Sequence, residues 1–185
     1  MALLRDEVHS TSKDGRKVVV RSATPRDARA LTRLLDEIAA EPEVFLLLRP
    51  GEFSARDWKK RLAEAIADPG ALALLAFVAG ELAGNLALRP DPHRNSAHVG
   101  VVGMSVAGAQ RGIGVGTALL DAALAWAAAH AVSKVELSVF PHNQAAQRFY
   151  EARGFTVEGV RRAHFVRAGH ALDEILMGRF LEPAT

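Results

Sequence analysis

Val106-Ala107-Gly108-Ala109-Gln110-Arg111-Gly112-Ile113-Gly114-Val115-Gly116-Thr117 is the stretch on which the reading of this chain turns. It begins where a nearly unbroken apolar run, His98 to Val106, comes to an end, and it leads into a long apolar segment, Ile113 to His130. A strand, a glycine-rich turn and a helix in that order expose backbone N–H groups at a helix start, where no intrahelical acceptor exists. Glycine lets a ligand approach that backbone to contact distance. Such a turn cradles a phosphate or diphosphate, and Arg111 offers it a charge-assisted contact. It equally lets a helix pack closely on a sheet, and the local pattern is compatible with both. A Walker loop needs Gly-Lys-Ser/Thr, and no lysine stands here. A dinucleotide loop needs G-x-G-x-x-G and an acid closing the next strand. Here the third glycine is wrongly spaced and Glu136 lies early in its strand.

Working outward, Lys17 to Ala23 is valine-rich and reads as a strand. Thr24-Pro25-Arg26-Asp27 and Ser54-Ala55-Arg56-Asp57 each carry a capping pattern before apolar residues at helical spacing. Ala71 to Val78 and Glu81 to Leu88 form a hairpin about Ala79-Gly80, and His98 to Val106 is a further strand, central by its continuous apolar character. After the Ile113 to His130 helix come a strand (Val135 to Phe140), a helix (Asn143 to Arg153, closed by Gly154) and two strands across the Arg167–Ala171 turn. Residues 1–16 are polar and read as a flexible N-terminal arm; residues 17–182 read as one domain. The alternation is α/β, with an antiparallel front and one parallel step in the middle.

The composition narrows the function classes. The chain has 185 residues, within the roughly 100–200 of one domain. Lys and Arg total 23 against 21 Asp and Glu, a net charge of +2 without a basic stripe, so no nucleic-acid partner is expected. No stretch reaches the ~18–20 apolar residues of a membrane span, and the start carries Arg5, Asp6 and Glu7 where a signal peptide needs an apolar run. The expectation is a soluble cytoplasmic protein. There is no cysteine, which excludes disulfides, a thiol nucleophile and cysteine-ligated zinc; no metal is expected.

Arg111-x-x-Gly114-x-Gly116 directly after an apolar strand resembles the acyl-CoA signature of the GNAT superfamily of N-acetyltransferases. Downstream, Asn143-Gln144-Ala145-Ala146-Gln147-Arg148-Phe149-Tyr150-Glu151-Ala152-Arg153-Gly154-Phe155 resembles that family's N-x-x-A-x-x-x-Y-x-x-x-G-F segment. The two motifs stand in the family's order and at its separation. Asp173 to Arg179, with the Pro42 to Leu48 region, is similar to the branch that acetylates amino acids and related small amines, phosphinothricin among them.

The resemblance implies a single-domain GNAT fold: a mixed sheet of about seven strands, splayed between the fourth and fifth and flanked by about four helices. It implies acetyl-CoA as co-substrate, its diphosphate on the amides of Gly112, Ile113, Gly114, Val115, Gly116 and Thr117. The pantetheine arm then pairs with backbone groups of Met104 and Val106, and Asn143 either caps its helix or contacts the cofactor or substrate, the two being compatible. Tyr150 falls on the general-acid position, though an aromatic beside Phe149 also suits a core. The acceptor is the primary amine of a small molecule such as an amino acid, attacked directly in a ternary complex since no cysteine carries an acyl group. A protein N-terminal acetyltransferase and a non-catalytic acyl-CoA-binding module are the alternatives, and a homodimer is expected. Val101 stands where a related branch has an acid, so the base is sought at His98, His164, Glu174 or a water on Ser138, while Glu41 and Glu43 lie where the fold builds its acceptor pocket.

Overall fold

In the computed structural model, residues 3–4, 6–42, 47–167 and 169–181 are described. The strands are β1 (Val8–Thr11), β2 (Lys17–Ser22), β3 (Leu72–Val78), β4 (Glu81–Pro90), β5 (Val99–Val106), β6 (Lys134–Val139), β7 (Thr156–Arg167) and β8 (His170–Phe180). The helices are α1 (Ala28–Ala39), α2 (Ala55–Ala67), α3 (Val115–Ala129) and α4 (Gln144–Glu151). One sheet holds all eight strands in the order β1-β2-β3-β4-β5-β6-β8-β7. Every neighbouring pair is antiparallel except β5 and β6, which α3 joins as a parallel crossover.

The eighth strand is a correction to the expected seven, and it lies inside the segment read as an arm. Val8–Thr11 pairs with Lys17–Val20 along four residues. All four of its side chains are exposed, so no apolar alternation marks it in the sequence; backbone pairing and the Ser12–Arg16 turn define it instead.

Helices cover the two faces unequally. On one face α3 and α4 bury the larger core, where Leu72, Leu74, Leu86, Leu88 and Val102 of the sheet meet Val115, Leu119, Leu120, Ala123, Tyr150 and Phe155. On the other, α1 and α2 set Leu31, Leu35 and Leu62 over Ala23 and Leu75. The capping patterns form as expected. Ser54 N–H donates to Asp57 Oδ2 at 2.9 Å and Asp57 N–H to Ser54 Oγ at 3.3 Å. At the other start Thr24 N–H donates to Asp27 Oδ2 at 2.8 Å, and Pro25–Asp27 adds a 3₁₀ turn ahead of α1.

Leu119 is fully buried where α3 meets the sheet. Leu119→Ala is expected to cost about 2–5 kcal/mol of unfolding free energy, read as a lower urea midpoint at unchanged slope.

Candidate functional site

The parallel pairing of β5 with β6 lasts three residues, Val99–Val101 against Lys134–Glu136. Beyond it β5 runs on to Val106 beside β4, and β6 runs on to Val139 beside β8. A gap opens between the fourth and fifth strands of the expected count, as the resemblance implies. The phase of the β4–β5 ladder decides which groups face it. Ala107 N–H bonds Ala83 O and Asp91 N–H bonds Val99 O, each at 2.9 Å. Odd-numbered residues of β5 therefore turn their N–H and C=O to β4, and even-numbered ones turn theirs away from it. Met104 and Val106 thus direct backbone groups into the gap.

The glycine loop closes one end of it. Gly112 (φ +77°) and Gly114 (φ +109°) occupy left-handed conformations that other residues adopt only under strain. Gly114 is the N-cap of α3 and no side chain caps this end. The first helical bond is Ala118 N–H to Gly114 O at 3.0 Å, so the amides of Val115, Gly116 and Thr117 have no acceptor within the helix. Gly116 serves the other reading of the loop. A Cβ there would lie 3.4 Å from Met104 Cε and 3.5 Å from Phe149 Cζ, so glycine lets α3 approach β5 and α4. The loop is both cradle and packing joint.

Its charged neighbours are already engaged. Arg111 donates from Nη2 to Glu41 Oε2 at 2.6 Å and from Nε to Val106 O at 3.0 Å. Glu41 thereby holds the loop, while Glu43 lies outside the described residues. Arg153, which the sequence reading left out, donates to Thr117 Oγ1 and, at 3.0 Å, to Phe149 O, with its guanidinium 3.8 Å above the Phe149 ring. Only its place just before Gly154 in the second motif hinted at it.

Tyr150 lies on α4 with 6% of its surface exposed, edge-on to Phe149 (5.1 Å) and Phe155 (5.5 Å). Burial pushes its phenol up to about 12, against the opposing charge of Arg153. Asn143 caps α4, its Oδ1 accepting from Ala146 N–H at 3.1 Å, which leaves the amide nitrogen as donor. Phe140 and His142 stack beside it at 5.4 Å.

The groups sought as a base are separated by the fold. His98 immediately precedes β5, eight residues from Val106 and so roughly 25 Å from the loop. Glu174 is buried on β8, one pair past the end of β6 in register, with Arg161 Nη1 at 3.0 Å and His164 Nε2 at 3.6 Å from its Oε2. A bulge in β7, with Ala163 at φ +49°, turns His164 toward it. Val101 is 41% exposed on the face that carries α1 and α2. A wide depression between α2 and the far end of β4, lined by Phe53, Lys60, Arg61 and Arg89, takes in none of the loop, Tyr150 or Glu174.

The acetyltransferase (GNAT) family model matches residues 32–155. The L-amino acid N-acetyltransferase AaaT of Escherichia coli (strain K12) is 30% identical over 168 residues, 88% of this chain and 98% of that protein. A GNAT-family acetyltransferase from Streptococcus pneumoniae superposes with a TM-score of 0.82 at 26% identity, over 89% of this chain and 99% of that one. A phosphinothricin acetyltransferase from Sinorhizobium meliloti, solved in complex with AcCoA, has a TM-score of 0.80 over 93% of this chain and 89% of that one; at 19% identity the likeness is one of fold.

Tyr150 is the only tyrosine, so tyrosinate absorbance reports it alone. The folded protein is expected to titrate near 12, the unfolded chain near 10. Burial favours the neutral phenol, so stability is unaffected below pH 10 and falls between pH 10 and 12, by about 2–3 kcal/mol in all. An absorbance step at the ordinary value in the folded protein would show that the ring is not enclosed.

Proposed function

Because the chain belongs to the GNAT acetyltransferase family, we propose that it moves an acetyl group from acetyl-CoA to the primary amine of a small molecule, with amino acids as the acceptor class. The acceptor class draws on the E. coli relative. The observation that carries the reading is the adjacency of the β5–β6 gap, with the backbone groups of Met104 and Val106 turned into it, to the uncapped start of α3.

The amides from Gly112 to Thr117 receive the diphosphate at the positive end of the helix. Arg111 keeps that loop against Val106. Met104 and Val106 pair with the pantetheine arm as a strand edge pairs with a peptide, and the same edge offers N–H groups to the thioester oxygen. Asn143 has an amide N–H to spare for the arm or the acceptor. The amine attacks the carbonyl carbon, the carbon–sulfur bond breaks, and the ammonium proton passes to His164, held beside Glu174.

Tyr150 has a narrower task than general acid. A thiol ionises at about 8.5 if it behaves as cysteine does, and this phenol at about 12. Full transfer of its proton to the departing thiolate is thus uphill. Tyr150 therefore hydrogen-bonds to sulfur as negative charge gathers there and keeps its proton.

Thiol release from acetyl-CoA over a panel of amino acids tests the reading; binding without turnover on any amine would leave a carrier-binding module in its place. Tyr150→Phe is expected to lower kcat roughly 10²-fold with little change in KM. Gly116→Val fills the contact with Met104 and Phe149 and is expected to raise KM for acetyl-CoA, with kcat less affected.

A further inference from the structure

The N-terminal hairpin touches the glycine loop through one backbone bond: Lys13 N–H donates to Ile113 O at 2.9 Å. Ile113 stands between Gly112 and Gly114, and neither glycine has anything within 4 Å of where a Cβ would be. Ile113 packs its side chain against the larger core, but the two glycines add no side-chain packing to fix the orientation of the Ile113–Gly114 peptide. A trans peptide is planar, with its C=O and N–H pointing in opposite directions. A donor that holds Ile113 O consequently sets the direction of Gly114 N–H, turning it away from the hairpin.

The hairpin tip is built to hold that donor still. Ser12 is one of two buried polar residues of the described chain, 5% exposed. Its N–H donates to Arg16 O at 2.8 Å and its Oγ accepts from Arg16 N–H at 2.9 Å. Asp14 binds the Arg16 guanidinium through Nε at 2.9 Å and Nη2 at 2.6 Å, and Gly15 turns the chain at φ +85°. The bonds to Arg16 and Ser12 hold the Asp14 carboxyl down at about 2.

We propose that this hairpin is a positioning element of the cofactor site: Lys13 N–H orients the Gly114 amide toward the diphosphate of the acyl carrier. The inference rests on the cofactor reading above and adds to it a segment outside both sequence motifs. It gives the hairpin a consequence for selectivity. Donors that carry the diphosphate gain from the oriented amide, and donors cut back to the pantetheine arm do not.

The test compares acetyl-CoA with S-acetylpantetheine, which lacks the diphosphate, in the full chain. Lys13→Pro removes the N–H. It is expected to reduce the preference for acetyl-CoA over S-acetylpantetheine about tenfold, the size that one oriented hydrogen bond carries. The loss should appear in KM rather than kcat and be several-fold larger than in Lys13→Ala, which keeps the N–H. Equal losses in the two variants, or equal losses on the two donors, would overturn the proposal. A measurement on the unaltered protein covers the case in which Lys13→Pro does not fold. Hydrogen exchange of the Lys13 amide should slow on adding coenzyme A and not on adding S-acetylpantetheine. Indifference to bound coenzyme A would also overturn it. If the unaltered protein bound no coenzyme A at all, the cofactor reading would fail instead.

Discussion

The site depends on where one ladder of hydrogen bonds stops. β5 and β6 are held together over Val99–Val101 and then part, because β5 follows β4 through Val106 while β6 follows β8 through Val139. Each strand is satisfied on its outer edge by an antiparallel partner, so neither loses its place when the parallel pairing ends. What remains is a wedge with polar backbone on the β5 side, in a region where an unpaired N–H or C=O is costly unless water or a ligand meets it. A sheet interrupted in its middle keeps its core because α3 and α4 pack beneath the wedge, with Leu119, Leu120, Tyr150 and Phe155 all buried there.

The loop at the end of the wedge is loose in its own chemistry and firm in its surroundings. Gly112 and Gly114 have open space around them, which alone favours many conformations. Three tethers from distant parts of the chain remove that freedom. Glu41, at the end of α1, holds Arg111 across 70 residues of sequence; Arg153 holds Thr117 across 36; Lys13 holds Ile113. Ordering these groups in advance lowers the entropy lost when a ligand arrives. It also accounts for two cations beside the loop being engaged elsewhere: Arg111 and Arg153 shape the backbone, and the amides at the start of α3 keep no acceptor within the helix.

These layers were unequally legible in the sequence. The glycine spacing, the Asn143 cap and the place of Tyr150 are short-range patterns, readable because backbone conformation and helix ends depend on neighbours a few residues away. Met104 and Val106 followed from family resemblance alone, and their direction into the wedge rests on ladder phase, which is set by the register of β4. Nothing in the sequence around Glu41 points to Arg111, 70 residues on. Val8–Thr11 reads as part of an arm because an exposed edge strand has no buried face and so no apolar alternation. Each miss is a case in which pairing across the fold, not local pattern, set the outcome.

The direct transfer proposed above needs two routes to one carbonyl carbon, and the uneven covering of the sheet suits it. α3 and α4 close the face on which Tyr150 lies, so anything held there meets a dry, preorganised wall. α1 and α2 shield Ala23 and Leu75 and, although α1 reaches β5, they leave Val101 and Ser138 exposed on that side. The register of β8 and β7 puts Glu174 and Arg161 on this same open face. In the proposed transfer, a donor gripped from the α3 side and an acceptor arriving from the open side approach the wedge from opposite faces. On that proposal the hydrogen bond to sulfur and the removal of the amine proton fall to different groups on different sides of the sheet. That separation suits the energetics, since a phenol at about 12 neither gives up its proton to a thiolate nor takes one from an ammonium group.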